Sequence, residues 1–257
     1  MSKTSARKKA YKYARSKEDR AQNVLLNNLD KRLKNMEQSI EKKYSYVDKF
    51  EDAIETWDPT SQVGREVNMT QIRIGTTQGL LDINNRIGDK VSVKSIDFRY
   101  SLGVVGSASA IPPQPINKIR VVLFWDTDPV NTDNTGNYVV STPEWQLLLQ
   151  ALSVTVPAPG GQAILSPKDH DKGSRFQLLH DEVHTLCPST GTNGGARSAT
   201  NETRFYKSYK IGKKVNYAGA GTQAINRSLY LGYLADTDAG HPLCTINYSL
   251  KVNYEDA

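Results

Sequence analysis

The chain has 257 residues, and its 33 Lys and Arg against 27 Asp and Glu give a formal net charge of +6 at pH 7. No apolar run is long enough to cross a membrane, and the first residues lack the apolar segment of a signal peptide. Two cysteines, Cys187 and Cys244, are too few for a disulfide framework, so we interpret both as reduced thiols in a protein made in the cytosol. We therefore expect neither a membrane protein nor a disulfide-stabilised secreted domain.

The charge is concentrated at the N-terminus. Residues 1–50 hold 14 basic and 6 acidic residues, a net of +8, whereas the remainder holds 19 and 21, a net of −2. A nearly neutral body with a cationic arm indicates a polyanion that the arm contacts.

Residues 1–20 form a basic tail. They contain no aliphatic residue larger than Ala after Met1, so we expect this segment to bury no core and to be disordered in isolation. Its tyrosines suit stacking on unpaired bases, and its cations suit phosphate pairing. The alternative is a solvated tail or a nuclear-import signal. The predicted nucleic-acid-binding residues are Lys3, Arg7, Lys8, Lys9, Tyr11, Lys12, Tyr13, Arg15, Lys17 and Arg20.

Residues 21–57 carry a heptad pattern. Ser16, Glu18 and Asp19 are typical of a helix start, and Asp58-Pro59 of a helix end. Apolar residues then recur in steps of three and four, with one break at Lys43: Leu26, Leu29, Leu33, Met36, Ile40, Val47, Phe50, Ile54 and Trp57. This a/d pattern predicts a helix about 60 Å long, with a coiled-coil seam. We expect the seam to associate with other copies of the chain; the alternative is packing on its own β domain.

The body, residues 58–257, has strand patterns throughout. Strands are predicted over residues 66–74, 90–105, 117–126, 174–186, 203–211, 213–217, 227–234 and 243–254, with one short helix within 145–152. The largely apolar run 119–125 is typical of a central strand buried on both faces. Eight strands joined by long loops predict an all-β fold, a single eight-stranded jelly roll built as a two-sheet Greek-key sandwich, with a long N-terminal α-helical arm.

The segment HDEVH, residues 180–184, differs from the zinc-protease motif HExxH because Asp181, and not Glu, follows the first His, and because the pattern is that of a strand instead of a helix. A strand rises about 3.3 Å per residue, which places His180 and His184 about 13 Å apart and predicts that they do not share a metal.

Asp126, Asp128 and Asp133 lie in an oxygen-rich loop. We interpret it as turn chemistry, with calcium binding as the alternative, since hard oxygen ligands are present without EF-hand spacing. The loop with Asn193-Gly194-Gly195 lacks the GK[ST] of a phosphate-binding loop. We identify no catalytic set and no cofactor motif, and the sequence does not predict an enzyme.

Three segments carry a family resemblance. Residues 78–93, with QG and then NRIGDKVSV, resemble the "G…RIG.K..V" segment of capsid proteins from circular single-stranded DNA viruses that encode a Rep protein. Residues 119–129, IRVVLFWDTDP, resemble their "RV.L..D..P" strand and turn. Residues 175–181, RFQLLHD, resemble their "RF..L.D" strand. The three occur in the family's order.

The resemblance implies a structural capsid protein in the virion, with about 60 copies forming a small icosahedral shell and the basic arm turned inward onto a single-stranded genome. It favours DNA over RNA, although satellite plant RNA viruses have similar capsid proteins. Assembly would involve the host cytoplasm and nucleus, and no feature identifies a host receptor. The family's arm is usually basic and poorly ordered, so a four-heptad helix departs from its pattern. The rival hypothesis is a coiled-coil-stalked β-sandwich that binds a carbohydrate or protein.

Overall fold

The computed structural model describes residues 19–33, 42–54, 68–75, 85–104, 117–132, 138–140, 142–143, 145–149, 164–186, 203–218, 224–236 and 244–256. The chain divides into two units, Met1–Glu41 and Lys42–Ala257. In the first unit, residues 19–33 are helical and form α1.

The second unit is almost entirely β. Its elements are β1 (Lys43–Ile54), β2 (Met69–Ile72), β3 (Lys90–Val104), β4 (Asn117–Asp126), β5 (Val130–Thr132), β6 (Tyr138–Val140), α2 (Trp145–Leu148), β7 (Phe176–Leu186), β8 (Thr203–Asn216), β9 (Ser228–Ala235) and β10 (Cys244–Asp256). Among the described residues, no helix has the length and apolar character needed to cross a membrane.

Eight strands form two four-stranded antiparallel sheets. Sheet I has the order β1-β10-β3-β8 and sheet II the order β2-β9-β4-β7, while β5 and β6 pair separately. If that small hairpin is set aside, the first strand pairs with the last, the second with the second to last, and so on inward to β4 and β7. This nested antiparallel pairing is the topology of a jelly roll, so the predicted two-sheet architecture is confirmed.

The core lies between the sheets. Alternate residues of β3, such as Ile96 and Phe98, and of β4, such as Val121 and Leu123, are fully buried in one hydrophobic cluster. The opposite face of sheet II is covered too: Phe124 of β4 belongs to a second cluster built around α2. The prediction that residues 119–125 form a strand buried on both faces is therefore confirmed.

The sandwich has the predicted eight strands, but two of the assignments were wrong and their errors cancel in the count; the β5–β6 hairpin was not predicted. Residues 203–211 and 213–217 were predicted as two strands, whereas β8 runs without interruption across Gly212. Residues 43–54 were predicted as helix, whereas they form β1, the edge strand of sheet I. The helical arm therefore does not extend to Trp57, and the sandwich begins at Lys43 rather than at residue 58.

The heptad pattern across β1 arose because the strand contains a bulge, which places two inward-facing apolar residues seven positions apart. Val47 and Ile54 both face the core, although a regular strand would put residues seven apart on opposite faces. Between Lys49 and Asp52 the register with β10 shifts, and one extra residue enters β1. Glu51 adopts a positive φ of 51° there, and its N–H donates to Asn247 Oδ1 at 2.6 Å. The extra residue therefore directs the Ile54 side chain to the same inward face as Val47.

The bulge leads us to expect opposite results at two of the predicted seam residues. Ile54→Ala should lower the free energy of unfolding by about 2–4 kcal/mol, because Ile54 is 0% exposed in the core. Phe50→Ser should change it by less than about 0.5 kcal/mol, because Phe50 is 73% exposed. Urea unfolding of unassembled protein measures both. A helical seam would instead make both substitutions costly.

Gly232 of β9 lies under the ring of Trp145. A Cβ at this position would lie 2.8 Å from Trp145 Cη2 and 2.9 Å from Met69 Sδ. We expect Gly232→Ala to cost about 1–3 kcal/mol of unfolding free energy by overpacking this cluster. Gly212→Ala is the matched control, since its Cβ would meet no atom within 4 Å. Equal stability of the two variants in urea would contradict the described packing of α2.

Candidate functional site

The solvent-facing side of sheet I forms a continuous polar surface, which we call the outer sheet face. Because inward residues of the four strands fill the core, the alternate residues point outward. They are Tyr44, Tyr46 and Asp48 of β1; Asn247, Ser249, Lys251, Asn253 and Glu255 of β10; Ser92, Ser95, Asp97, Arg99 and Ser101 of β3; and Arg204, Tyr206, Ser208, Lys210 and Lys214 of β8.

The strand register places cations next to exposed tyrosines on this face. Arg99 lies opposite Tyr206, and its guanidinium carbon is 4.6 Å from the centre of the Tyr206 ring. Lys251 Nζ lies 4.7 Å from the centre of the Tyr44 ring. An aromatic ring with a cation beside it can stack on a base while the cation meets the adjoining phosphate.

The outer sheet face is cationic overall. Its five basic residues, Arg99, Arg204, Lys210, Lys214 and Lys251, outnumber its three acids, Asp48, Asp97 and Glu255. Asp97 also accepts a hydrogen bond from Asn253 Nδ2 at 3.2 Å. The surface therefore has the composition that single-stranded nucleic acids bind without sequence preference. Sequence inspection missed it because the residues come from four strands that only the sheet order brings together.

Most of the predicted nucleic-acid-binding tail, residues 3–17, lies outside the described residues. Arg20 is exposed on α1. On the same helix Leu26, Leu29 and Leu33 are also exposed, while Met36 and Ile40 lie outside the described part of the chain. Self-association through these residues stays a prediction. Of the remaining predicted seam positions, Val47, Phe50 and Ile54 belong to β1 and not to a helical seam.

Two ion pairs join β4 to β7 and the turn before it. Arg120 donates to Asp181 through two hydrogen bonds of 2.7 and 2.6 Å. Arg175 donates to both oxygens of Asp126 at 2.9 Å, which raises the pKa of Arg175. Bidentate pairs of this kind hold the two segments in register.

Of the residues predicted as calcium ligands, Asp126 already binds other groups of the chain. Both carboxylate oxygens of Asp126 face Arg175, and one also accepts from the Asp128 N–H at 3.0 Å, which is the expected turn chemistry. Asp133 lies outside the described residues.

A histidine cluster lies on the inner face of β7. His180, Glu182 and His184 alternate along the strand, and their ligand atoms all lie within 4.8 Å of one another. The two imidazoles converge on Tyr100 of β3: its hydroxyl lies 3.0 Å from His180 Nε2 and 2.6 Å from His184 Nε2. The prediction that these histidines are too far apart to share a metal was wrong. It used the backbone rise alone and ignored the direction of the side chains.

Burial keeps the two imidazoles and the phenol of this cluster uncharged. Desolvation lowers the pKa of His180 to about 4, assisted by the nearby His184 and Lys207, while Asp181 opposes the shift. Desolvation also lowers the pKa of His184, and burial raises the pKa of Tyr100. At neutral pH the cluster therefore presents two neutral imidazoles and a neutral phenol beside the Glu182 side chain.

Cys244 is a free thiol, buried in the core, as predicted. Burial raises its pKa to about 12, so the thiolate is scarce and the group is a poor nucleophile at neutral pH. Cys187 lies outside the described residues.

Comparisons with known proteins return viral capsid structures. No protein-family model matches the chain, and no curated protein does. Among solved structures, the chain is similar to a semi-empty VLP of the giant freshwater prawn Macrobrachium rosenbergii nodavirus, with 10% identity over 84% of this chain and 83% of that one and a TM-score of 0.30. It is also similar to a 60-mer of the BFDV capsid protein, with 9% identity over 85% and 94% and a TM-score of 0.28. Because both TM-scores are low, we assign the fold from the order of the strands alone.

Two substitutions test the outer sheet face as a nucleic-acid surface. We expect Lys251→Glu to weaken binding of the full chain to an oligothymidylate about 3- to 10-fold, and to reduce the slope of log K against log salt by about 1. Tyr206→Ala should weaken it about 5-fold or more through lost stacking. Fluorescence anisotropy measures both.

Lys172→Glu provides the matched control, since it makes the same charge change on a half-exposed lysine in the turn before β7. If all three variants bound the oligonucleotide alike, the outer sheet face would have no specific role.

Proposed function

We propose that the chain is a structural capsid protein that self-assembles into a small icosahedral shell and packages a single-stranded nucleic-acid genome. The observation that supports this most directly is the nested pairing of eight strands into one jelly roll, with a cationic, tyrosine-bearing outer sheet face on sheet I. A fold alone does not define a function. The proposal therefore also depends on the family resemblance and on the charge of the N-terminal segment.

The jelly roll suits side-by-side tiling. The two sheets pack face to face on a shared core. The loops and the edge strands β1, β2, β7 and β8 therefore lie at the margins of the domain. Copies related by symmetry meet through such margins in closed shells. About 60 copies, the smallest icosahedral number, is the stoichiometry that we propose.

Genome binding combines two cationic regions that are linked along the chain. The basic residues of the first 20 positions lead, through α1, to β1, which is the edge strand of the sheet that carries the outer sheet face. Lys and Arg in both regions displace counter-ions from phosphates, so assembly on nucleic acid weakens steeply as salt rises.

The charge of the tail is large enough to matter. The first 17 residues hold seven Lys and Arg and no acid, so about 60 copies bring on the order of 400 positive charges inside the shell. Such a charge neutralises part of a kilobase-scale genome, and the outer sheet face adds to it. We propose single-stranded DNA as the packaged nucleic acid, on the strength of the three family-like segments.

The rival function, a stalked binding module, requires a helical stalk as long as the heptad pattern predicted. Residues 43–54 form a strand of the sandwich, so the stalk loses its C-terminal third. That correction favours the capsid hypothesis over the stalk.

Deletion of residues 1–20 tests the packaging role. We expect assembled particles of the truncated chain to contain at least about twofold less nucleic acid per protein, because each copy loses the tail's cations. The ratio of absorbance at 260 and 280 nm of purified particles measures this. A chain with residues 2–20 in scrambled order keeps the charge and should keep the content. Unchanged content after deletion would show that the tail does not package the genome.

A further inference from the structure

The histidine cluster on β7 lies at one margin of the sandwich. β7 is the edge strand of sheet II and β8 the edge strand of sheet I, so the two edges face each other there. His180 is buried, His184 is 14% exposed in its side chain, and the Glu182 side chain is 43% exposed. The inner side of the cluster is therefore enclosed by protein, and its outer side is accessible to solvent.

We propose that His180, Glu182 and His184 form a zinc-binding site. Glu182 Oε1 lies 3.8 Å from His180 Nδ1, and Glu182 Oε2 lies 3.7 Å from His184 Nε2. All three ligand atoms lie within 4.8 Å of one another. Ligands of a tetrahedral zinc ion, bound at about 2.0–2.2 Å, are about 3.3 Å apart. Small side-chain rotations of the half-exposed Glu182 and of His184 close that gap.

The donor set selects the class of metal. Two neutral imidazoles and one carboxylate suit zinc and similar first-row transition metals, whereas calcium and magnesium require oxygen ligands. One anionic ligand leaves the bound ion with a net positive charge, and the fourth position is left for a water molecule or the Tyr100 hydroxyl. A site with three protein ligands and an open fourth position is a common zinc arrangement.

The surroundings favour a bound ion in this place. The ring of Phe205 lies 4.5 Å from the His180 ring, and Phe98 lies on another side at 5.7 Å, so apolar groups back the site. The Tyr209 hydroxyl is buried without a hydrogen-bond partner among the described residues, and the charge of Glu182 acts on it. A metal-bound water is a partner that such a hydroxyl can take.

The charges of adjacent residues leave the Glu182 carboxylate available to the metal ion. Asp181 points to the opposite face of β7 and pairs with Arg120, so it does not draw the ion away. Lys207 of β8 is the nearby cation that opposes binding. All three protein ligands come from β7, so an ion here links β7 to β3 of the facing sheet when the Tyr100 hydroxyl takes the fourth position.

Zinc titration of the purified full-length chain tests the site. After removal of metal by a chelator and dialysis, competition with a chromophoric zinc indicator should show one Zn²⁺ per chain. Glu182→Gln, which keeps the shape of a solvent-exposed side chain, should weaken binding at least about 10-fold. His184→Ala should abolish it. His170→Ala is the matched control, because His170 is exposed in the turn before β7 and away from the cluster.

Two further measurements separate the site from misfolding and from thiol binding. Metal-free Glu182→Gln should melt at the wild-type temperature, which assigns its effect to the metal. Cobalt(II) in place of zinc should give the visible bands of a tetrahedral ion without thiolate charge transfer, which excludes Cys244 as a ligand. The proposal is overturned if the chain binds no zinc, or if both substitutions leave binding unchanged.

Discussion

The structure depends on the apolar layer between sheets I and II. Alternate side chains of β3, β4, β9 and β10 form most of it, and each strand must then direct its other residues outward. On sheet II the outward residues are covered again by α2 and its neighbours, whereas on sheet I they remain at the surface. The packing therefore leaves one sheet face, and the margins where edge strands meet, for interactions outside the domain.

The two regions for which we propose functions, the outer sheet face and the histidine cluster, follow from this arrangement in different ways. The outer sheet face is a product of register: Arg99 and Tyr206 are distant in sequence, and pairing between β3 and β8 makes them neighbours. The histidine cluster is a product of layering, because Tyr100 on sheet I reaches across the core to the imidazoles of sheet II. Neither region needs a specialised loop, and both are positioned by strands that the core holds rigidly.

Strand alternation predicted much of the fold from sequence. β4 was recognised with its observed ends because its apolar run is long, and β3 because it alternates cleanly. β1 was missed because the bulge at Glu51 shifts the apolar periodicity of the strand by one residue, which gives it the spacing of a heptad. The lysine that interrupted the heptads, Lys43, is the first residue of β1, where the secondary structure changes. The site residues were harder to predict, since they depend on which strands are neighbours.

The central claim is that this jelly roll assembles into a closed shell, and electron microscopy of the purified full-length chain with single-stranded DNA at low salt tests it most directly. We expect spherical particles of one uniform diameter that disassemble or lose nucleic acid as salt is raised. Discrete small oligomers, such as trimers with a protruding stalk, in the presence and absence of DNA would contradict it.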